Sequence, residues 1–171
     1  MMPSKLPSIL LGAAVYAVAG LIIGFVAINA GQTGQYLVSV LCCLAALLGP
    51  AVAVWHYTST NGLTVPAGTG AGLGAAAVAI GGLASYGVTR LLQAVGAYPS
   101  TAELLERQRD QLVAQGLEPE AVAQAMQMGE MFQGVGGALV QIVVVALVGA
   151  VSGAVAASIF KKGPVDELDA I

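Results

Sequence analysis

Apolar residues in this chain are gathered into four long runs, three of them without a charge, rather than spread at amphipathic spacing. The runs cover about 7–28, 36–55, 66–92 and 135–160, and the third carries its one cation, Arg90, at its last turn. At 1.5 Å of rise per residue, about 20 apolar residues cross a hydrocarbon core of about 30 Å. The pattern predicts an all-α membrane protein with four transmembrane helices. Between the third and fourth runs the period changes. Ser100 and Glu103 form a capping-box pair, which predicts a helix from Thr101 to Gln115 that stops at Gly116. Leu104, Leu105, Leu112 and Val113 give it one apolar face. Pro119 then starts a second helix on which Val122, Ala125, Met126 and Phe132 share a side. Residues 100–131 therefore read as an extramembrane helical hairpin on one domain, 1–171. That second helix continues toward the fourth span with a break near Gly134, Gly136 and Gly137.

The connections are short. Residues 29–35, Asn-Ala-Gly-Gln-Thr-Gly-Gln, read as a polar turn, and Asn61-Gly62 as another. Thr64 is read as the N-cap of the third span, with Pro66 in its first turn. Tyr36 at one end of the second span, and Trp55, His56 and Tyr57 at the other, are about 31 Å apart on a helix, as an aromatic belt requires. Pro50 inside that span predicts a kink. The first run follows Lys5 and contains Ala17-Val18-Ala19, which resembles a signal-peptide cleavage site. It continues to Ile28, beyond a signal core, and is read as a retained span.

Composition agrees with the pattern: 57% of the 171 residues are apolar and 9% charged, against about 25% charged in a soluble domain. The net charge of −3 hides an uneven distribution. Between residues 99 and 131, Arg107 and Arg109 stand against Glu103, Glu106, Asp110, Glu118, Glu120 and Glu130. No basic patch with interleaved aromatics exists, which argues against a nucleic-acid partner. No polybasic juxtamembrane cluster argues for binding of anionic lipid. Four spans put both termini on one side. Lys5, Lys161 and Lys162 at the outer ends of the first and last spans favour the cytoplasm, with the acidic hairpin outside.

Lipid tails are as apolar as leucine, so helices in a bilayer associate through close packing. Three pairs of glycines spaced by four supply it: Gly20 and Gly24, Gly70 and Gly74, and Gly149 and Gly153. The alternative use of such a ridge is oligomerisation. Gln141 is the strongest intramembrane polar candidate, expected to hydrogen-bond across to Ser85, Ser39 or a carbonyl, with solute contact as the competing role.

The chemistry-bearing residues are few. His56 is the single histidine and reads as an interfacial anchor, with pH sensing as the alternative. Cys42 and Cys43 are adjacent, point about 100° apart on a helix and are not expected to pair. The methionines at 126, 128 and 131 read as soft packing rather than a copper site. The glycines of residues 68–74 lack the Lys-Ser/Thr end of a phosphate loop. No acid, base and nucleophile assemble, so neither enzymatic activity, a metal nor a cofactor is expected.

One stretch carries a family likeness. Residues 106–117, Glu-Arg-Gln-Arg-Asp-Gln-Leu-Val-Ala-Gln-Gly-Leu, are followed by Pro119-Glu120-Ala121-Val122 and by Gln124-Ala125-Met126-Gln127-Met128. This resembles the bacterial membrane-protein family catalogued as domain of unknown function 4199, with its Arg-x-Gln-Leu, Gln-Gly-Leu and Gln-Ala-Met pattern between the third and fourth of four spans. Asn61-Gly62-Leu63-Thr64 is similar to the family's turn before span three. Pro66, and spans richer in glycine and alanine, depart from it. The specific motifs occupy about 30 residues. The resemblance implies four spans in a bacterial inner membrane and no particular reaction. The functional expectation is an accessory or scaffold protein. Glu103, Glu106, Arg107, Arg109 and Glu120 would meet a protein partner or a second copy, and the bilayer surrounds the spans. The alternative is a small transporter or channel for a neutral or apolar solute, lined by Gln141 and the glycine-rich third span.

Overall fold

The computed structural model describes residues 3–29, 34–133 and 135–163. Among them are six helices and no strand: α1 (Leu6–Asn29), α2 (Gly34–Asn61), α3 (Ala67–Ala94), α4 (Thr101–Ala114), α5 (Pro119–Gln133) and α6 (Val135–Ile159). Four of them, α1, α2, α3 and α6, are long and apolar enough to cross a membrane, as a multi-pass membrane protein requires. The turn at Ala30, Gly31, Gln32 and Thr33, and the break at Gly134, lie outside the described residues.

The chain forms two compact units, Met1–Tyr86 with Ile142–Ile171, and Gly87–Gln141. In the first, α1 packs along α2. Its core gathers Val54, Tyr57, Val65, Leu73, Ala156 and Ala157, with Ile9, Ala51 and Phe160 against it.

Small residues set the helix spacing. A Cβ placed on Gly70 would stand 2.5 Å from both the Gly153 carbonyl oxygen and the Ala157 Cβ. One on Gly149 would stand 2.8 Å from Val78 Cγ2 and 2.9 Å from the Gly74 oxygen. Gly153 would meet the Gly70 oxygen, and Gly74 the Gly149 oxygen, closer still. Here α3 and α6 touch backbone to backbone. The first helix does not use its glycine pair this way. Gly20 is exposed with Ser85 Oγ 3.3 Å from its Cβ position, and Gly24 is partly exposed. The close approach of α1 is instead at Gly12, whose Cβ would lie 2.6 Å from the Gly49 oxygen and 2.7 Å from the Ala53 Cβ. On the α3 side, Gly81 faces the Ala13 oxygen at 2.7 Å.

Two boundaries differ from the sequence expectation. The second helix runs on to Asn61 rather than ending at Trp55, and is continuous through the buried Pro50. Its late polar residues bond their own helix: Thr58 Oγ1 donates to the Trp55 carbonyl at 3.1 Å and Asn61 Nδ2 to that of Tyr57 at 2.8 Å. So Tyr57 is a core residue, 1% exposed, while Trp55 stays outward at 46%. Thr64 is not the cap of α3. Its hydroxyl donates to the Gly163 carbonyl at 2.8 Å and faces the amides of Lys162 and Gly163 at 3.2 and 3.3 Å, tying the α2–α3 loop to the chain after α6.

In the second unit, local chemistry sets the ends. Ser100 caps α4, accepting from the Glu103 amide, while the Glu103 carboxylate accepts from the Ser100 amide at 2.7 Å. The helix closes through bonds from Gly116 N to Val113 O and from Leu117 N to Leu112 O, with Gly116 at φ 77°, a left-handed geometry that glycine adopts without a Cβ penalty. The same closure ends α3 at Gly96, and α2 ends at the left-handed Gly62 with Leu63 N donating to Thr58 O.

Gly153→Ala is expected to lower unfolding stability by about 1–3 kcal/mol, since its methyl has no room against the Gly70 backbone. Gly72→Ala, which meets nothing within 4 Å, should instead stabilise by up to about 1 kcal/mol through helix propensity. Reversible unfolding in detergent measures both, and equal stability of wild type and Gly153→Ala would refute the packing account.

Candidate functional site

Two places carry polar chemistry. The first is the end of the first unit where α1 begins, α2 ends, α3 begins and α6 ends. Ser8 sits in the first turns of α1, 2% exposed, with its Oγ 2.9 Å from Nδ1 of His56. The hydroxyl donates if His56 carries its proton on Nε2 and accepts if on Nδ1. A nucleophilic serine needs access and a base oriented by a third group. Ser8 is buried, and residues 3–86 and 142–163 contain no aspartate or glutamate to orient the imidazole. The pair works as a tie between α1 and α2. His56, read from the sequence as an interfacial anchor, is the α2 partner in this bond.

Beside it lies a groove of about 430 Å³ lined by Lys5, Ile9, Gly68, Thr69, Gly72 and Leu73. Gly68 and Gly72 are exposed, and nothing lies within 4 Å of where their Cβ atoms would be. The glycine run of α3 thus divides by helical phase. Gly70 and Gly74 meet α6, while Gly68 and Gly72 keep the groove open.

Ser85 Oγ donates to the Ala17 carbonyl of α1 at 3.2 Å. The Gln141 side chain is exposed. On α6 the face turned toward α3 carries Ile142, Gly149 and Gly153, and Gln141 lies about 100° round from Ile142. Ser152 and Ser158 donate to carbonyls four residues back, Val148 and Ala154. Cys42 and Cys43 are free thiols.

The second place is the pair α4 and α5, which contact each other. No residue of α4 is buried. Glu103, Glu106, Arg107, Arg109 and Glu120 are all exposed. Val122 is buried at 5%, with Leu104, Leu105, Leu112, Ala125 and Met126 partly covered. Val113, Leu117 and Met128 remain open, at 58%, 39% and 61% exposure. The Ser100 amide and hydroxyl hold the Glu103 carboxyl below its ordinary 4.5, with Arg107 adding to the effect. Burial pushes the Tyr98 hydroxyl up from 10.0.

Sequence reasoning missed Gly12, Gly49, Gly81, the Ser8–His56 bond and the groove. The signal for the bond was present as two polar side chains at opposite ends of neighbouring apolar runs.

A double-mutant cycle of Ser8→Ala and His56→Ala should give a coupling of about 0.5–1.5 kcal/mol in detergent unfolding, the worth of one hydrogen bond. Zero coupling would show that the two side chains do not interact. The Glu103 carboxyl, lowered in the folded chain, stabilises α4 above pH 4.5, and that stabilisation is lost as pH falls through its folded value. NMR titration should place its midpoint below 4.5 and Ser100→Ala should move it upward, whereas an unmoved midpoint would remove the capping box as the cause. No family model, curated protein or solved structure matches the chain.

Proposed function

We propose that this chain is a non-enzymatic accessory or scaffold protein of a bacterial inner membrane that meets a protein partner through α4 and α5. In this reading both termini face the cytoplasm and α4 and α5 form a helical hairpin outside the membrane. The observation that carries it is the surface of the pair. Val113, Leu117 and Met128 are open apolar side chains beside exposed acids and arginines. Open apolar groups rimmed by polar ones are what a protein interface presents before it closes. A helix with no buried residue gains little from its own fold, and a partner that covers its apolar side chains stabilises it further. Four helices long and apolar enough to cross a membrane support the multi-pass part of this reading.

A transporter or channel is less supported. The third-span glycines that would line a path, Gly70 and Gly74, lie against the α6 backbone, and Gln141 is exposed.

Reversing charge at Glu103, Glu106 and Glu120 together to lysine should release a stoichiometric partner seen by native mass spectrometry of gently solubilised membranes. The variant itself should remain helical and membrane-embedded. A partner retained at wild-type stoichiometry, or a wild-type chain that carries none, would count against this surface.

A further inference from the structure

The polar side chains of α6 are Gln141, Ser152 and Ser158. Both serines donate to carbonyls four residues back on their own helix. Gln141 is exposed and bonds no group among the described residues. The apolar span of α6 runs Gly136–Ile159. Gln141 therefore lies about 10 Å from its middle, inside the half-thickness of about 15 Å of a hydrocarbon core. Acyl chains offer a carboxamide neither donor nor acceptor, and an amide left in that state is costly. The positions that follow it keep a heptad. Gln141, Val148 and Val155 are seven apart, and Val144, Val151 and Ser158 interleave with them at the same spacing. All six are exposed, while Ile142, Gly149 and Gly153 of the same helix face α3. A repeat of 3.5 residues is the seam of two helices that cross left-handed, the commonest crossing in membrane bundles. The open apolar side of α6 is wider than this seam and includes Val143 and Leu147, which acyl chains cover without loss. Gln141 is what singles out one stripe.

We infer that α6 pairs along this stripe with α6 of a second copy of the chain, about a two-fold axis normal to the membrane, with the two Gln141 carboxamides bonded to each other. Symmetry and chemistry both select a second copy over the span of another protein. Every copy inserts with one orientation, so an axis along the membrane normal sets each residue of the stripe opposite itself at the same depth. A carboxamide carries both an NH2 donor and a carbonyl acceptor, so it satisfies its own kind. A lone lysine or aspartate at that depth would instead need an unlike partner. One polar residue at one seam position also fixes the register of the pair, which valines alone leave loose. The valines at 144, 148, 151 and 155 are stiff about χ1, so little rotamer freedom is lost when they pack. The inference goes beyond the partner role of α4 and α5 and does not depend on it, because none of these residues lies on those helices.

The test takes the full chain in pentaoxyethylene octyl ether micelles and reads association by sedimentation equilibrium. Wild type should show a reversible monomer–dimer equilibrium set by the ratio of protein to detergent. Gln141→Leu should weaken the dimer by about five- to tenfold. Its helical content and unfolding midpoint should stay at wild-type level, because leucine suits an exposed position in a span. Joint Glu103→Lys, Glu106→Lys and Glu120→Lys should leave the dimer as tight as before. A second measurement places the seam. In membranes of the expressing cells, on a Cys42→Ser and Cys43→Ser background, copper phenanthroline should link Val148→Cys into a disulfide dimer much faster than Val143→Cys. Position 143 stands about 140° round the helix from 148. A wild type that is monomeric at every ratio, a Gln141→Leu dimer as tight as wild type, or equal cross-linking at 143 and 148 would overturn the inference. A dimer lost on charge reversal but kept in Gln141→Leu would place self-association on α4 and α5 and overturn it too. A trimer or larger assembly would overturn the two-fold arrangement.

Discussion

Backbone contact between α3 and α6 is the constraint on which the first unit depends. In water, two apolar helices associate because burial removes surface from solvent. In a bilayer that term vanishes, and what remains is contact at short range. Gly70, Gly74, Gly149 and Gly153 leave both helices without side chains along one line, so the backbones meet there. Dispersion falls steeply with separation, so a gap of even 0.5–1 Å forfeits about a quarter to a half of each contact. Every later feature inherits this spacing. Ala156 and Ala157 reach the core beside Tyr57 and Leu73 because α6 lies so close. The chain after α6 then arrives beside Thr64, whose hydroxyl bonds Lys162 and Gly163.

The same economy places polar groups. The spans have few, and most are satisfied within their own helix: Thr58, Ser152 and Ser158 each bond a carbonyl three or four residues back. Two bonds cross between helices to α1, Ser8 with His56 and Ser85 with the Ala17 carbonyl. A hydrogen bond across a small-residue contact fixes rotation and register, which nonspecific apolar contact leaves loose.

How much of this was legible in the sequence depended on the range of the interaction. The four spans followed from run length, and their ends agree within a few residues except at α2. There the drop in hydropathy after Tyr57 read as a loop. The helix continues because Thr58 and Asn61 satisfy themselves on its own carbonyls, so polarity alone does not end a helix. The limits of α4 were legible because the capping box and Gly116 act within four or five residues. Thr64 has cap chemistry too, but its partner lies 99 residues away. Gly12, Gly49 and Gly81 were invisible for a related reason. A solitary glycine announces a close approach only once its neighbouring helix is known. Gln141, a polar residue in an apolar run, invited an inward placement, and its side chain is exposed. Its helical phase, fixed by Gly149 and Gly153, turns it outward.

The distribution of chemistry bears on where function resides. Close packing by glycine and alanine uses up much of the facing surfaces of α1, α3 and α6, and the Ser85 hydroxyl between α3 and α1 is taken up by the Ala17 carbonyl. A span so committed to contact is poorly suited to conduct a solute, since opening a path would forfeit the short-range attraction that holds the helices together. What varies in character lies at the ends: a glycine-floored groove in one unit, and an acidic, partly apolar helix pair in the other. The helix pair leaves Val113, Leu117 and Met128 open, so it gains by being covered. In the first unit the apolar helices hold position through short-range contact, and the second keeps its charged and open apolar side chains exposed.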